Sequence, residues 1–151
     1  MALISDTGMR LSEAAGLARD DIVLDADIPH VVIRPHPWRR LKTRGSERTL
    51  PLVGCSLWAA ERALEASQHS PYPFPRYCND KCCKANSASA ALNKWLKLTI
   101  GDGYVMHSFR HSMRDRLREV NCPSEMIDQI GGWSKRSVGE VYGEGYTLDR
   151  C

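Results

Sequence analysis

"DIVLDADIPHVVIRPHPWRRLKTRGSERTLPLV", residues 21–53, is the stretch whose reading sets the fold. It holds the short runs "DIVLDAD", "HVVIRP" and "RTLPLV". Each alternates apolar and polar side chains, is rich in β-branched residues, and is bounded by Asp, Pro or Gly. That pattern predicts three short strands of one small antiparallel sheet. Between the last two lies "HPWRRLKTRGSE", a basic hairpin with Gly45 at its tip. Residues 34–48 carry six Arg or Lys against one Glu, a local charge of +5, although the whole chain is only +3.

On both sides of this stretch the pattern turns helical. "MALISD" reads as the last turns of a helix already under way, and an apolar start without a cap suggests a trimmed chain. In "TGMRLSEAAGLARDDI", Thr7 offers a cap, Gly8 a turn, and Leu11, Ala14, Ala15 and Leu17 follow helical spacing. Downstream, "LWAAERALEASQ" (57–68) places Leu57, Ala60 and Leu64 on one face, and "SASAALNKWLKLTIG" (87–101) is also helical. The proline-rich "HSPYPFPRYCND" (69–80) is a loop. "HSFRHSMRDRLREV" (107–120) is expected to bury Phe109, Met113, Leu117 and Val120. "NCP" breaks that helix, Ser124 caps the next, and Gly131-Gly132 ends it. A last short helix, "KRSVGEVYG", would carry Tyr142. The fold class is α+β, mostly α, with one three-stranded antiparallel sheet.

Bulk properties narrow the function. A chain of 151 residues suffices for one domain with a core, and 42% apolar residues argues against disorder. No apolar run approaches the ~20 residues that span a bilayer, and "MALISDTGMR" lacks the features of a signal peptide. The six cysteines, Cys55, Cys78, Cys82, Cys83, Cys122 and Cys151, are therefore expected as reduced thiols. "CNDKCC" (78–83) invites a zinc reading, but no second ligand pair accompanies it, so neither metal nor cofactor is expected. A zinc-organised interaction domain is the reading that metal analysis would test.

The basic clusters suit a polyanion, because a guanidinium grips phosphate through two parallel hydrogen bonds. Arg10 sits at a turn into a helix and Lys42 on the basic hairpin. His107 and Arg110, three apart, share a helix face. Trp133 follows the Gly-Gly turn, and Tyr142 comes nine residues later.

In this order the motifs "TGMRLSEAAGLARDDI", "LKTRGSERTLPL", "HSFRH" and "GGWS…VYG" resemble the catalytic domain of the tyrosine recombinases, the phage-integrase family. The resemblance runs nearly the whole chain. It implies site-specific DNA recombination or integration, through strand cleavage and rejoining by a covalent 3′-phosphotyrosine intermediate without metal. It implies Arg10 and Arg110 as the phosphate clamp, Lys42 as proton donor to the leaving 5′-oxygen, and His107 as the base. Trp133 would be a phosphate contact, standing where many bacterial members carry histidine, and Tyr142 the nucleophile. Glu13 would be structural, and Tyr104 and Tyr146 packing or surface residues. Arg39, Arg40, Arg44, Arg48 and Arg114 are expected to contact the DNA backbone.

Residues 1–151 would then be a catalytic domain without the family's N-terminal DNA-binding domain and C-terminal tail. The implied partner is double-stranded DNA, bound as a homotetramer by the full-length protein, while the fragment stays monomeric. The implied location is the cytoplasm of a bacterium, at the nucleoid. Two other readings use the same residues: a type IB topoisomerase, which relaxes DNA without exchanging partners, and a non-catalytic DNA-binding remnant of a prophage integrase.

Overall fold

The computed structural model describes residues 1–43, 46–133 and 146–151. Among these residues the order is α1 (Ala2–Thr7), α2 (Leu11–Ala15), β1 (Ile22–Val23), β2 (His30–Ile33), β3 (Arg48–Pro51), α3 (Gly54–Ala66), α4 (Ala85–Thr99), α5 (Ser108–Glu119) and α6 (Ser124–Gly131). Short 3-10 turns occupy Arg19–Asp21 and Leu148–Arg150. The strands form one three-stranded antiparallel sheet, as the alternating pattern predicts, and its order is β1-β2-β3.

Register explains which sheet residues reach the core. Val31 lies opposite Ile22 on one side and Leu50 on the other, and all three are buried. Ile33 and Leu52 extend the same apolar face. Against it pack Leu3, Ile4 and Met9, with Leu17, Ala60, Leu96, Met113 and Ile130 from the helical layer. Each large apolar side chain so buried contributes about 1.5–3 kcal/mol relative to exposure. Helix α1 is the hub, packing on α2, α3 and α5.

Several local expectations are corrected. Thr7 is the last residue of α1 rather than a cap for α2, because its hydroxyl donates to the Leu3 carbonyl at 2.5 Å. Helix α2 is capped instead by Glu13, whose carboxylate accepts the Arg10 backbone N–H at 2.8 Å. Helix α3 starts at Gly54, not residue 57, because the buried Ser56 hydroxyl accepts the Val53 N–H at 3.0 Å. Ser124 lies inside α6 and makes no capping hydrogen bond, and Pro123 holds the cap position. Val120 is 72% exposed, since α5 ends at Glu119 and the chain turns away. The fully buried side chains of α5 are Arg110 and Met113, while Phe109 and Leu117 are only partly buried. Gly132 ends α6 in the left-handed conformation (φ 59°), as the Gly-Gly pair predicts. The hairpin tip at Gly45 and the short helix expected around Tyr142 lie outside the described residues.

Candidate active site

Two turns and a helix start bring the arginines together. Gly8 closes α1 with φ 60°, a conformation that costs most other residues energy, and the chain then extends through Arg10 into α2. The Arg10 guanidinium donates through Nη1 to Glu13 Oε1 at 2.7 Å and to Ser46 Oγ at 3.3 Å. Its Nη2 donates to the Gly132 carbonyl at 3.0 Å. Arg110, in the first turn of α5, donates through Nη1 to the Gly8 carbonyl and through Nη2 to the Gly131 carbonyl at 2.7 Å. Both guanidiniums therefore rest on the turn that ends α6. Arg110 is only 2% exposed, whereas the Arg10 side chain keeps 20% of its surface. Among the described residues, Arg110 Nε is buried without a hydrogen-bond partner.

Beneath them lies Glu13, buried at the start of α2. It pairs with Arg10 and, through Oε2 at 2.9 Å, with Arg48. Burial alone would push its carboxyl up. The Arg48 charge and hydrogen bond, with the hydrogen bonds from Arg10, outweigh burial and hold it below the usual carboxylate range. Arg110 is pushed down to about 10 by burial first and then by Arg10, with Arg48 acting the same way and Glu13 opposing. Arg10, Arg48 and Arg110 thus face one carboxylate, leaving a surplus of two positive charges at the site. A surplus packed this closely favours a bound anion.

Trp133 lies directly after the α6 turn. The Arg110 and Arg114 guanidinium carbons stand 4.7 Å and 4.9 Å from its ring centre. Its ring also lies so close on the Gly131 backbone that a Cβ there would overlap it.

His107 is the N-cap residue of α5 and is exposed. Its ring meets that of His111 edge-on at 4.7 Å. Although the residue is exposed, partial desolvation of its ring lowers its pKa first, followed by the positive charges of His111, Arg110, Arg10 and Lys42. Neutral imidazole is therefore the favoured form at neutral pH. Lys42 adds its positive charge to the field at His107.

Lys42 itself is exposed. Its turn is held by Ser46, whose backbone N–H donates to the Thr43 carbonyl at 3.1 Å and whose hydroxyl bonds Thr43 Oγ1 at 2.8 Å. Arg48 Nη1 donates to the Ser46 carbonyl at 2.7 Å, and its Nε to the Ile130 carbonyl at 2.7 Å.

The set of arginines expected on the DNA face divides. Arg40 is exposed. Arg114 is half-buried, 3.5 Å from Asp128. Arg39 and Arg48 are interior side chains and do not lie on an outer face. Arg39 is 4% exposed, with Nε donating to the Gly16 carbonyl at 3.4 Å and Nη2 3.9 Å from the buried Asp21. Arg48 is drawn in by Glu13. Arg44 and Tyr142 lie outside the described residues. Tyr104 is exposed. The Tyr146 backbone exchanges two hydrogen bonds, 2.8 Å and 2.7 Å, with the Gln129 side chain.

Sequence reading missed Ser46 and the buried setting of Arg48. The signal for Arg48 was present: it precedes Leu50 by two residues and so shares its inward face.

The "CNDKCC" loop is knitted by backbone. Asn79 N–H donates to Cys82 O at 3.1 Å and Lys84 N–H to Tyr77 O at 2.7 Å, placing Cys78 opposite Cys83. Burial, then the neighbouring Cys83, pushes the Cys78 thiol up to about 12. Among the described residues no three His, Cys, Asp or Glu side chains are grouped to hold a metal ion.

Comparison with known proteins places this geometry. The sequence profile described as the phage integrase family matches residues 1–146. The chain is 26% identical over 144 residues to the tyrosine recombinase XerC of Neisseria meningitidis serogroup B, covering 93% of this chain and 44% of that protein. Among solved structures it resembles the Tn1549 transposon integrase in complex with transposon right end DNA, with a TM-score of 0.64 and 15% identity. That match covers 92% of this chain and 54% of the integrase. The same integrase in complex with circular intermediate DNA matches with a TM-score of 0.62 and 18% identity over 99% of this chain and 55% of its own. At these identities the structural likeness shows the fold alone. The chain spans about half the length of the proteins it matches.

Proposed function

The chain belongs to the phage integrase family, and from that premise we propose that it cleaves and rejoins double-stranded DNA in site-specific recombination. The observation that carries this reading is the packing of Arg10 and Arg110 on one turn, with a surplus of positive charge and with His107 and Lys42 in electrostatic range. That arrangement suits the pentavalent transition state of phosphoryl transfer, whose charge builds on the non-bridging oxygens.

The Tyr142 hydroxyl attacks the scissile phosphorus in line with the leaving 5′-oxygen. Neutral His107 accepts the phenolic proton, directly or through water. Arg10 and Arg110 neutralise the non-bridging oxygens. Lys42 gives a proton to the 5′-oxygen as the P–O bond breaks. One phosphodiester is exchanged for another, so the product is a 3′-phosphotyrosyl enzyme with a free 5′-hydroxyl. Attack by the 5′-hydroxyl of a second strand returns the phosphate to DNA and frees Tyr142. Exchange between two duplexes involves several protomers, and a homotetramer on DNA in the bacterial cytoplasm is the assembly this reading takes. Arg40 and Arg44 on the basic hairpin serve the DNA backbone, and Arg114 adds to that field from α5.

The reading is tested on duplexes selected by the protein from a random-sequence pool. Incubation of two such labelled duplexes is expected to give strand-exchanged products. Relaxation of supercoiled plasmid without exchanged products would replace recombination by a topoisomerase activity.

A further inference from the structure

Lys42 is exposed on a turn, yet the role assigned to it requires a fixed position beside the scissile phosphate. One fully buried side chain ties that turn to the clamp. Ser46 places its hydroxyl 2.8 Å from Thr43 Oγ1 and accepts from Arg10 Nη1 at 3.3 Å. Its backbone is held from both sides, by the Thr43 carbonyl at 3.1 Å and by Arg48 Nη1 at 2.7 Å. Arg48 is in turn anchored on Glu13 and on the Ile130 carbonyl at the end of α6. Ser46 is therefore the point where the Lys42 turn and the Arg10 clamp meet.

We propose that Ser46 is a positioning residue, whose hydroxyl links the turn carrying Lys42 to Arg10 and so aims the lysine at the leaving 5′-oxygen. The alternative is that a small buried serine merely fills space under the hairpin. The contacts argue against that, because a space-filling residue does not need its hydroxyl shared between a clamp arginine and the neighbouring threonine. The connection from the turn to Arg10 runs through the Ser46 side-chain oxygen, whereas the Thr43 carbonyl and Arg48 bond the Ser46 backbone. Replacing the hydroxyl thus leaves the Glu13–Arg48 frame in place.

The proposal rests on the recombinase reading, in particular on Lys42 as the proton donor. Its test separates proton donation from phosphate binding. A nicked duplex, selected by the wild-type protein, is made with either oxygen or sulfur at the 5′-bridging position. A thiolate leaves without protonation, so cleavage of the sulfur substrate bypasses the general acid. The Lys42→Ala protein is the reference, losing oxygen-substrate cleavage while retaining cleavage of the sulfur substrate.

Ser46→Ala is expected to slow adduct formation on the oxygen substrate about 10- to 100-fold, the scale of a misplaced catalytic group, with the sulfur substrate cleaved near the wild-type rate. Thr43→Ala, at an exposed position on the other end of the hydroxyl link, is expected to act in the same direction and carries the test should Ser46→Ala fold poorly. Equal loss on both substrates in these variants would overturn the proposal, since it would place Ser46 with the clamp or with stability alone. Unchanged cleavage of the oxygen substrate would overturn it as well. Failure of the wild-type protein to form an adduct on either substrate would instead count against the recombinase reading itself.

Discussion

Glu13 and Arg48 form a buried ion pair, Oε2 to Nη2 at 2.9 Å, while the other carboxylate oxygen of Glu13 holds Arg10 at 2.7 Å. One carboxylate thus fixes Arg10, at the start of α2, and Arg48, on β3. Removing one partner of a buried pair leaves the other charge uncompensated, which typically costs about 3–5 kcal/mol. Glu13→Gln is expected to lose stability near the lower end of that range, because the amide keeps some hydrogen bonding. Equilibrium denaturation in urea measures it, and a loss under ~1 kcal/mol would show that the pair is not the frame of the site.

The same pair carries a pH signature. The folded pKa of Glu13 is depressed, so its stabilisation is fully present above the ordinary glutamate value of about 4.3 and fades as pH falls through the lower folded value. Wild type should therefore lose stability more steeply below about pH 4.3 than Glu13→Gln does. Parallel acid-unfolding curves for the two proteins would refute this.

Arg110 bridges the Gly8 and Gly131 carbonyls with two nitrogens of one planar group. Lysine offers charge without that fork. Arg110→Lys is expected to reduce covalent adduct formation by about 100-fold or more. A rate within a few-fold of wild type would mean that charge suffices and the fork does not matter.

The contact between Trp133 and the Gly131 backbone leaves no room for a methyl group. Gly131→Ala should displace the indole from its contacts with Arg110 and Arg114 and destabilise the protein by about 1–3 kcal/mol, the usual cost of overpacking. Crosslinking or fluorescence of a protein retaining Trp133 alone, measured with and without the substitution, reads the displacement. Identical spectra and melting would contradict the packing.

His107 is held below its ordinary pKa by burial and by His111, Arg110, Arg10 and Lys42. A base with a lowered pKa stays unprotonated further into the acid range. Adduct formation should stay near its neutral-pH rate at about pH 6.5 and fall only at lower pH. His107→Gln should abolish that limb and slow the reaction by about 100-fold or more. An acid limb centred above pH 6.5 would place the titrating group elsewhere.

Much of this was legible in the sequence, for reasons that differ by residue. Alternation in "HVVIRP" and "RTLPLV" is a local signal, so the strands and their antiparallel sheet could be read directly. The Gly131-Gly132 stop is equally local, because the left-handed conformation at the end of α6 favours glycine. What could not be read was which charged side chains turn inward. Arg39 and Arg40 are neighbours of one type, yet Asp21, eighteen residues before Arg39, draws the first inside and leaves the second exposed. Ser46 shows no pattern at all, since its importance comes from Arg10 thirty-six residues away. The amphipathic reading of α5 failed at Val120 and at Arg110 for a related reason. A helix face accepts a buried guanidinium when carbonyls such as those of Gly8 and Gly131 are ready to receive it.

The central claim is that Tyr142 forms a covalent bond to DNA with the help of this cationic site. The direct measurement is denaturing electrophoresis of the protein incubated with a nicked duplex that releases a short strand on cleavage and so traps the adduct. Wild type and Tyr146→Phe are predicted to give a protease-sensitive protein–DNA band, and Tyr142→Phe none. A band that persists in Tyr142→Phe, or that vanishes only in Tyr146→Phe, would contradict the account.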